Sequence, residues 1–239
     1  MTAPPLSDRP LIGVTKPSRA DNLAYACIWA GVWLAGGRPV RLTASKPRRK
    51  CALRGLVLGG GTDVFPGLYD AKPRAGYAYD RKRDEMEIEW AERAERANIP
   101  VLAICRGAQM MNVMRGGTLF ADVAKSFKDV DYPSTFLGHV FYRKTILIED
   151  QTLLHDVLGD EDRVNSMHKQ AIADLGNGLE ATARERNGVI QCIEDRERNF
   201  YMGVQFHPEF LLHRSRFRGI FNALVTAAAH NPTEVTEDS

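Results

Sequence analysis

The sequence predicts an α/β protein with a mainly parallel central sheet and an antiparallel extension in its C-terminal half. Over the first 120 residues, short apolar runs alternate with amphipathic segments, which is the pattern of βαβ units. From residue 140 onward, apolar runs follow one another through connections too short for crossover helices. A strongly amphipathic segment, 209–230, closes the pattern.

Taken in order, LIGVT (11–15) is an apolar, β-branched run and reads as the first strand. Residues 21–36 read as a helix with an Asp or Asn cap and a Gly-Gly stop. Trp29 and Trp33, four apart on one face of that helix, are expected in the core against the sheet. RPVRLT (38–43) is the second strand, and KPRRK (46–50) is a solvated loop. GLVL (55–58) is a buried strand that runs into GGGTDVFPGLYD, a loop of turn-forming residues. Residues 80–98 form a long charged helix whose apolar positions Met86, Ile88, Trp90 and Ala91 are only roughly periodic. IPVLAIC (99–105) is a strand, followed by a helix from Arg106 to a double-glycine stop. In the second half, 140–150, 163–167, 178–186, 188–195 and 199–206 read as closely spaced strands. The chain is expected to form one domain over 1–239, with a frayed leader (1–10) and a flexible acidic tail (231–239).

Composition narrows the function classes. Thirty-two basic against thirty acidic residues leave a formal charge of +2, too balanced to signal a nucleic-acid or polybasic membrane protein. No apolar stretch of about 18 residues suggests a membrane span. Cys27, Cys51, Cys105 and Cys192 have neither CxxC nor zinc-finger spacing. His139, His155, His213 and His230 are scattered, so no metal site is expected. The chain reads as cytoplasmic, without cofactor.

The chemistry points to Cys105. It ends an apolar strand and is followed at once by Arg106, Gly107 and a helix, the strand–turn–helix context of a nucleophile elbow. A helix N-terminus aims N–H groups at the sulfur and favours thiolate. A buried structural cysteine fits the same local pattern. A thiolate nucleophile needs a base and an orienting group, and VQFHPEF (204–210) offers His207 and Glu209. If the backbone there is extended, residues i and i+2 face one side and Glu209 can hold the imidazole; a surface His-Pro-Glu turn is the alternative. An oxyanion hole could combine the N–H of Arg106 with Gly60 or Gly61, at the end of another parallel strand.

Together these segments resemble the class I glutamine amidotransferase-like superfamily, and within it the stand-alone γ-glutamyl-γ-aminobutyrate hydrolases. The likeness covers roughly 10–226 and rests on motifs in order. GGGTDVFPGLY matches GGxDxxPxxY at Gly60, Gly61, Asp63, Pro66 and Tyr69. RDEMEIE (83–89) resembles the start of the helix that follows that loop. AICRGAQMMNVMRGGTL matches CRGxQxxNVxxGGxL from Cys105 to Leu119, and VNSMHKQ matches VNSxHxQ from Val164 to Gln170. QFHPE carries His207 and Glu209. The resemblance implies a flavodoxin-like three-layer fold and a Cys105–His207–Glu209 triad. It also implies hydrolysis of a small γ-glutamyl amine through a γ-glutamyl thioester, as in putrescine breakdown. Gln109, Asn165, Ser166 and His168 are then expected around the substrate, although hydrogen bonding within the loop is the structural alternative for His168 and Gln170. The segment TLFADV departs from the family in carrying Phe120 and Ala121 where a Gln often precedes the Asp. A glutaminase subunit delivering ammonia to a synthase, and a non-catalytic binding protein on the same fold, are the competing functions. The assembly is left open, with a homodimer allowed.

Overall fold

The computed structural model describes residues 8–17, 22–45, 52–77, 79–128, 130, 142–165 and 168–235. KPRRK, His139 and Ser166 lie outside the described residues. Among the described residues, eleven strands and six α-helices follow in the order β1 (Leu11–Thr15), α1 (Asn22–Leu34), β2 (Arg38–Leu42), β3 (Gly55–Leu58), α2 (Arg81–Arg96), β4 (Val101–Ile104), α3 (Arg106–Met114), β5 (Leu119–Phe120), α4 (Val123–Ser126), β6 (Lys144–Ile148), α5 (Leu153–Leu158), β7 (Glu161–Val164), β8 (Ala171–Ile172), β9 (Glu180–Glu185), β10 (Ile190–Glu194), β11 (Tyr201–Val204) and α6 (Ser215–His230). Two 3-10 turns, Pro66–Leu68 and Pro208–Leu211, lie among them.

Nine strands form one sheet in the order β2-β1-β3-β4-β11-β10-β9-β6-β7, and β5 pairs with β8 separately. The first five are mutually parallel, and the rest are antiparallel to their neighbours. The fold is therefore the α/β class expected. GLVL, VLAI and YMGV are buried at every position because helices cover both faces of the parallel half. Period-2 alternation divides the core into two layers. Leu102 and Ile104 join Ile28, Val32 and Phe221 on one side of the sheet, and Val101 and Ala103 join Trp90 and Met110 on the other.

Three expectations need correction. Trp29 and Trp33 are not core residues: they are 36% and 54% exposed. The buried stripe of α1 is Ala24, Ile28, Gly31 and Val32, one residue behind the tryptophans and so about 100° round the helix. That face packs close to α6: a Cβ on Gly31 would sit 3.0 Å from the Phe221 ring, leaving no room for an indole. The flexible tail does not begin at 231. Val235 is fully buried and exchanges backbone hydrogen bonds of 3.1 and 2.8 Å with Leu53. At the other end Pro10 is buried, and its carbonyl accepts from Arg38 N at 2.9 Å, so the leader is anchored at its last residue.

Candidate active site

Cys105 connects β4 to α3 with φ 52° and ψ −104°, a conformation that L-residues avoid. Holding it costs about 1–3 kcal/mol, which the surrounding packing must offset. Its N–H donates to Val204 O at 2.7 Å and its carbonyl accepts from Gln109 N at 3.2 Å, so both sides of the turn are tied. Gly107 makes the turn possible, because a Cβ there would lie 2.2 Å from Leu58 O. The first N–H groups of α3 have no intrahelical acceptors, and that of Arg106 directly follows the sulfur-bearing residue.

His207 reaches Cys105 because β11, the last strand of the sheet, inserts beside β4 in parallel register, with Val204 opposite Ile104. Three residues later the imidazole Nδ1 lies 2.7 Å from Glu209 Oε1, both side chains being buried. The pairing does not arise from extended backbone, as the sequence suggested. Pro208–Leu211 is a 3-10 turn with Glu209 in it, and the turn brings the carboxylate back under the ring. Burial alone would lower the His207 pKa. The Glu209 carboxylate and the adjacent Cys105 sulfur outweigh it and push the imidazole well above its ordinary 6.5. Gly60 packs against both groups: a Cβ on it would be 3.0 Å from His207 Cε1 and 3.9 Å from Cys105 Cβ. Gly61, with φ 152°, has no such space either, since a Cβ would meet the Arg83 guanidinium at 2.2 Å.

Asn165 does not face outward. Its Nδ2 donates to His207 O at 3.0 Å and its Oδ1 accepts from His207 N at 2.8 Å. Gln109 and His168 converge on one backbone carbonyl, that of Gln170, at 3.0 and 2.8 Å. Gln109 Nε2 also reaches Gln205 Oε1 at 3.1 Å, and Gln205 Nε2 reaches Cys105 Sγ at 3.6 Å. The Gln170 side chain accepts from Val64 N at 3.2 Å and donates to Tyr69 OH at 2.8 Å, fastening the glycine-rich loop's far end to the same centre.

Behind the elbow lies a charged network that sequence reasoning missed. The fully buried Arg106 guanidinium pairs with Asp84 and Glu87. Glu87 also accepts from Arg83 Nε at 2.8 Å and Thr15 Oγ1 at 2.6 Å. Arg83 NH2 donates to Gly59 O at 2.9 Å, and Gly59 N donates to Thr15 Oγ1 at 2.9 Å. The glycine loop is thus tied through α2 to the residue that follows Cys105. Burial would raise the Glu87 pKa, but Arg106 and Arg83 hold it below the usual value. A signal existed in the sequence. Positions 83, 84 and 87 continue the buried stripe of Met86, Trp90, Ala91 and Ala94, which looked ragged only because its first turns are charged.

A family model described as Peptidase C26 matches residues 10–209. The chain belongs to the peptidase C26 family. The matched span ends on Glu209 and contains every residue described above as part of the site. Among relatives of this peptidase C26 protein, NtpR of Enterococcus hirae is 34% identical over 203 residues, covering 80% of this chain and 83% of that protein. A glutamine amidotransferase-like protein of Lactococcus lactis, YvdE, is 36% identical over 155 residues, and the match spans 65% of its length. γ-Glutamyl-γ-aminobutyrate hydrolase PuuD of Escherichia coli K12 is 27% identical over 216 residues, covering 84% of each chain. A glutamine amidotransferase structure from Thermotoga maritima superposes with a TM-score of 0.66 at 14% identity, over 93% of this chain and 99% of that one, which establishes the flavodoxin-like fold. Among the described residues of the C26 chain, no helix is long and apolar enough to cross a membrane. Nor do the described residues include three or more His, Cys, Asp or Glu grouped to hold a metal ion.

Proposed function

We propose that this peptidase C26 protein is a cysteine hydrolase that cleaves the γ-glutamyl amide bond of a small γ-glutamyl amine, with γ-glutamyl-γ-aminobutyrate the leading substrate. The observation that carries the reading is the buried His207–Glu209 pair, 2.7 Å across, beside a cysteine in a strained elbow. The likeness to PuuD over 84% of the chain supports the substrate class.

In this reading the Cys105 thiolate attacks the γ-carbonyl carbon. The carbonyl π electrons move to oxygen, and that oxyanion is met by the N–H of Arg106 and of Gly60 or Gly61. The imidazolium of His207 gives its proton to the leaving nitrogen as the C–N bond breaks, leaving a γ-glutamyl thioester and a free amine. Neutral His207 then takes a proton from water. The resulting hydroxide attacks the thioester, and the C–S bond breaks to return thiolate and glutamate. Glu209 keeps Nδ1 protonated and stabilises the imidazolium, as the third member of such triads does. Both N–H groups of Gln109 are engaged inside the protein, so only its oxygen is left for a ligand. An acceptor suits the α-ammonium of a glutamyl group rather than its α-carboxylate.

The test is glutamate release by wild type and Cys105→Ala from γ-glutamyl-γ-aminobutyrate, γ-glutamyl-putrescine, a γ-glutamyl anilide and glutamine. Release from a γ-glutamyl amine, absent in Cys105→Ala and weak with glutamine, is the expected result. Equal turnover by the variant overturns the mechanism. The glutamine amidotransferase neighbours favour a second reading, a glutaminase subunit. Turnover of glutamine alone would select it.

A further inference from the structure

The side-chain amide of a glutamine is nearly symmetric in shape, so which end is nitrogen follows from its partners. At this site the partners leave no choice. The carbonyl of Gln170 can only accept, and it is approached by His168 Nδ1 at 2.8 Å and by the Gln109 amide at 3.0 Å. The Gln109 group facing it must therefore be the NH2. That same nitrogen lies 3.1 Å from the Gln205 side chain, whose facing atom must then be the oxygen. The remaining end of Gln205, its NH2, is left 3.6 Å from Cys105 Sγ, within reach for the larger sulfur atom. Turning Gln205 over would set two NH2 groups against each other and an oxygen against the sulfur. All three glutamines are buried, so water cannot relieve such a mismatch.

We propose that Gln205 stabilises the Cys105 thiolate by donating an amide N–H to Sγ, in an orientation imposed from the Gln170 carbonyl through Gln109. A fixed donor favours the charged acceptor over the neutral thiol, because the thiolate accepts far more strongly. The Gln205 backbone is pinned as well, its N–H donating to Gln191 O at 2.9 Å, so the side chain starts from a rigid position. The relay explains why Gln109, four residues past the nucleophile, is buried and spends both its donors inside the protein. It rests on Cys105 being the nucleophile, but its test needs no substrate.

The test is the rate of Cys105 alkylation by iodoacetamide against pH, read by peptide mass spectrometry so that other cysteines do not contribute. Gln205→Glu keeps the shape and puts a carboxylate oxygen against the sulfur; Gln205→Leu removes the donor. Both are expected to alkylate about tenfold or more slowly at neutral pH, with the profile displaced to higher pH. Gln109→Leu, which frees Gln205 to turn, is expected to shift the profile the same way by less. In the wild type, the side-chain amide resonances of Gln205 should move with pH along the alkylation profile. A wild-type profile in either folded Gln205 variant, or Gln205 resonances indifferent to that titration, overturns the proposal. A merely structural role for Gln205 would change stability without moving the profile. Because no amide is hydrolysed in these measurements, failure of the relay and failure of the hydrolase reading are read separately.

Discussion

Asn165 grips His207 by both ends of its peptide backbone, donating to its carbonyl at 3.0 Å and accepting from its N–H at 2.8 Å. The imidazole stands on a residue that is neither strand nor helix, between the end of β11 and a 3-10 turn. Backbone bonding there is slight, a single 3.3 Å bond from Phe210 N to the His207 carbonyl, and a side chain at the end of β7 supplies the rest.

Asn165→Ala is accordingly expected to leave the buried His207 N–H unpaired and its carbonyl with only the longer bond from Phe210 N at 3.3 Å. The cost is about 1–3 kcal/mol of stability. Because the imidazole loses its fixed position, kcat on a γ-glutamyl amide should fall about 10- to 100-fold with KM little changed. Urea denaturation and steady-state kinetics check the two parts. An unaltered kcat in a folded variant would show that the clamp is not what positions His207.

The raised pKa of His207 predicts how stability depends on pH. Burial works against the raised value, and Glu209 and Cys105 produce it. A folded-state imidazole raised above its unfolded value contributes stability in full below about pH 6.5, and that contribution is lost as pH climbs through the folded value. Glu209→Gln removes the largest single raising cause, the carboxylate charge. The stability gap between wild type and Glu209→Gln should therefore be widest below about pH 6.5 and shrink toward alkaline pH, measured by urea denaturation across that range. A gap that grows with pH would contradict the assignment. The same variant should lower kcat by about 10²- to 10⁴-fold, since the ring loses its orienting charge.

Glu87 is the hub of the network behind the elbow, shared by Arg106, Arg83 and Thr15. Glu87→Ala would leave the buried Arg83 without its carboxylate partner and the buried Arg106 with Asp84 alone, at a cost of about 3–5 kcal/mol. The loss should appear as a lower urea midpoint. It should also reach the site, slowing Cys105 alkylation, because Gly59 and Arg106 are tied through the same carboxylate. A destabilised variant whose Cys105 reacts as before would confine the network to stability alone.

Much of this was legible in the order of residues. GLVL and VLAI are buried strands in the structure as they are in the reading, because a short apolar run bounded by turn residues has few other ways to fold. The elbow at Cys105 was legible for the same local reason. A strand followed at once by a glycine-containing helix start has to turn sharply, whereas the positive φ on Cys105 itself is seen only in the structure. Periodicity tells which residues share a face, but not which face will be covered. Trp29 and Trp33 share a face of α1, yet the neighbouring α6 demands small residues and takes the Gly31 side. The charged stripe of α2 was misread for the converse reason, since Arg83 and Glu87 are buried as an ion pair, and Arg106 arrives from α3 to pair with Glu87 and Asp84.

What the sequence by itself determined was local: the strands, the elbow, and the ordered set of side chains able to do nucleophilic chemistry. What only the tertiary structure decided was their meeting. Cys105 and His207 are about a hundred residues apart in sequence, and the insertion of β11 beside β4 joins them. The glutamine relay to the sulfur was equally out of reach, because a buried amide's direction depends on partners brought from distant segments. Backbone preferences act over a few residues, whereas burial and hydrogen-bond satisfaction are properties of the assembled core.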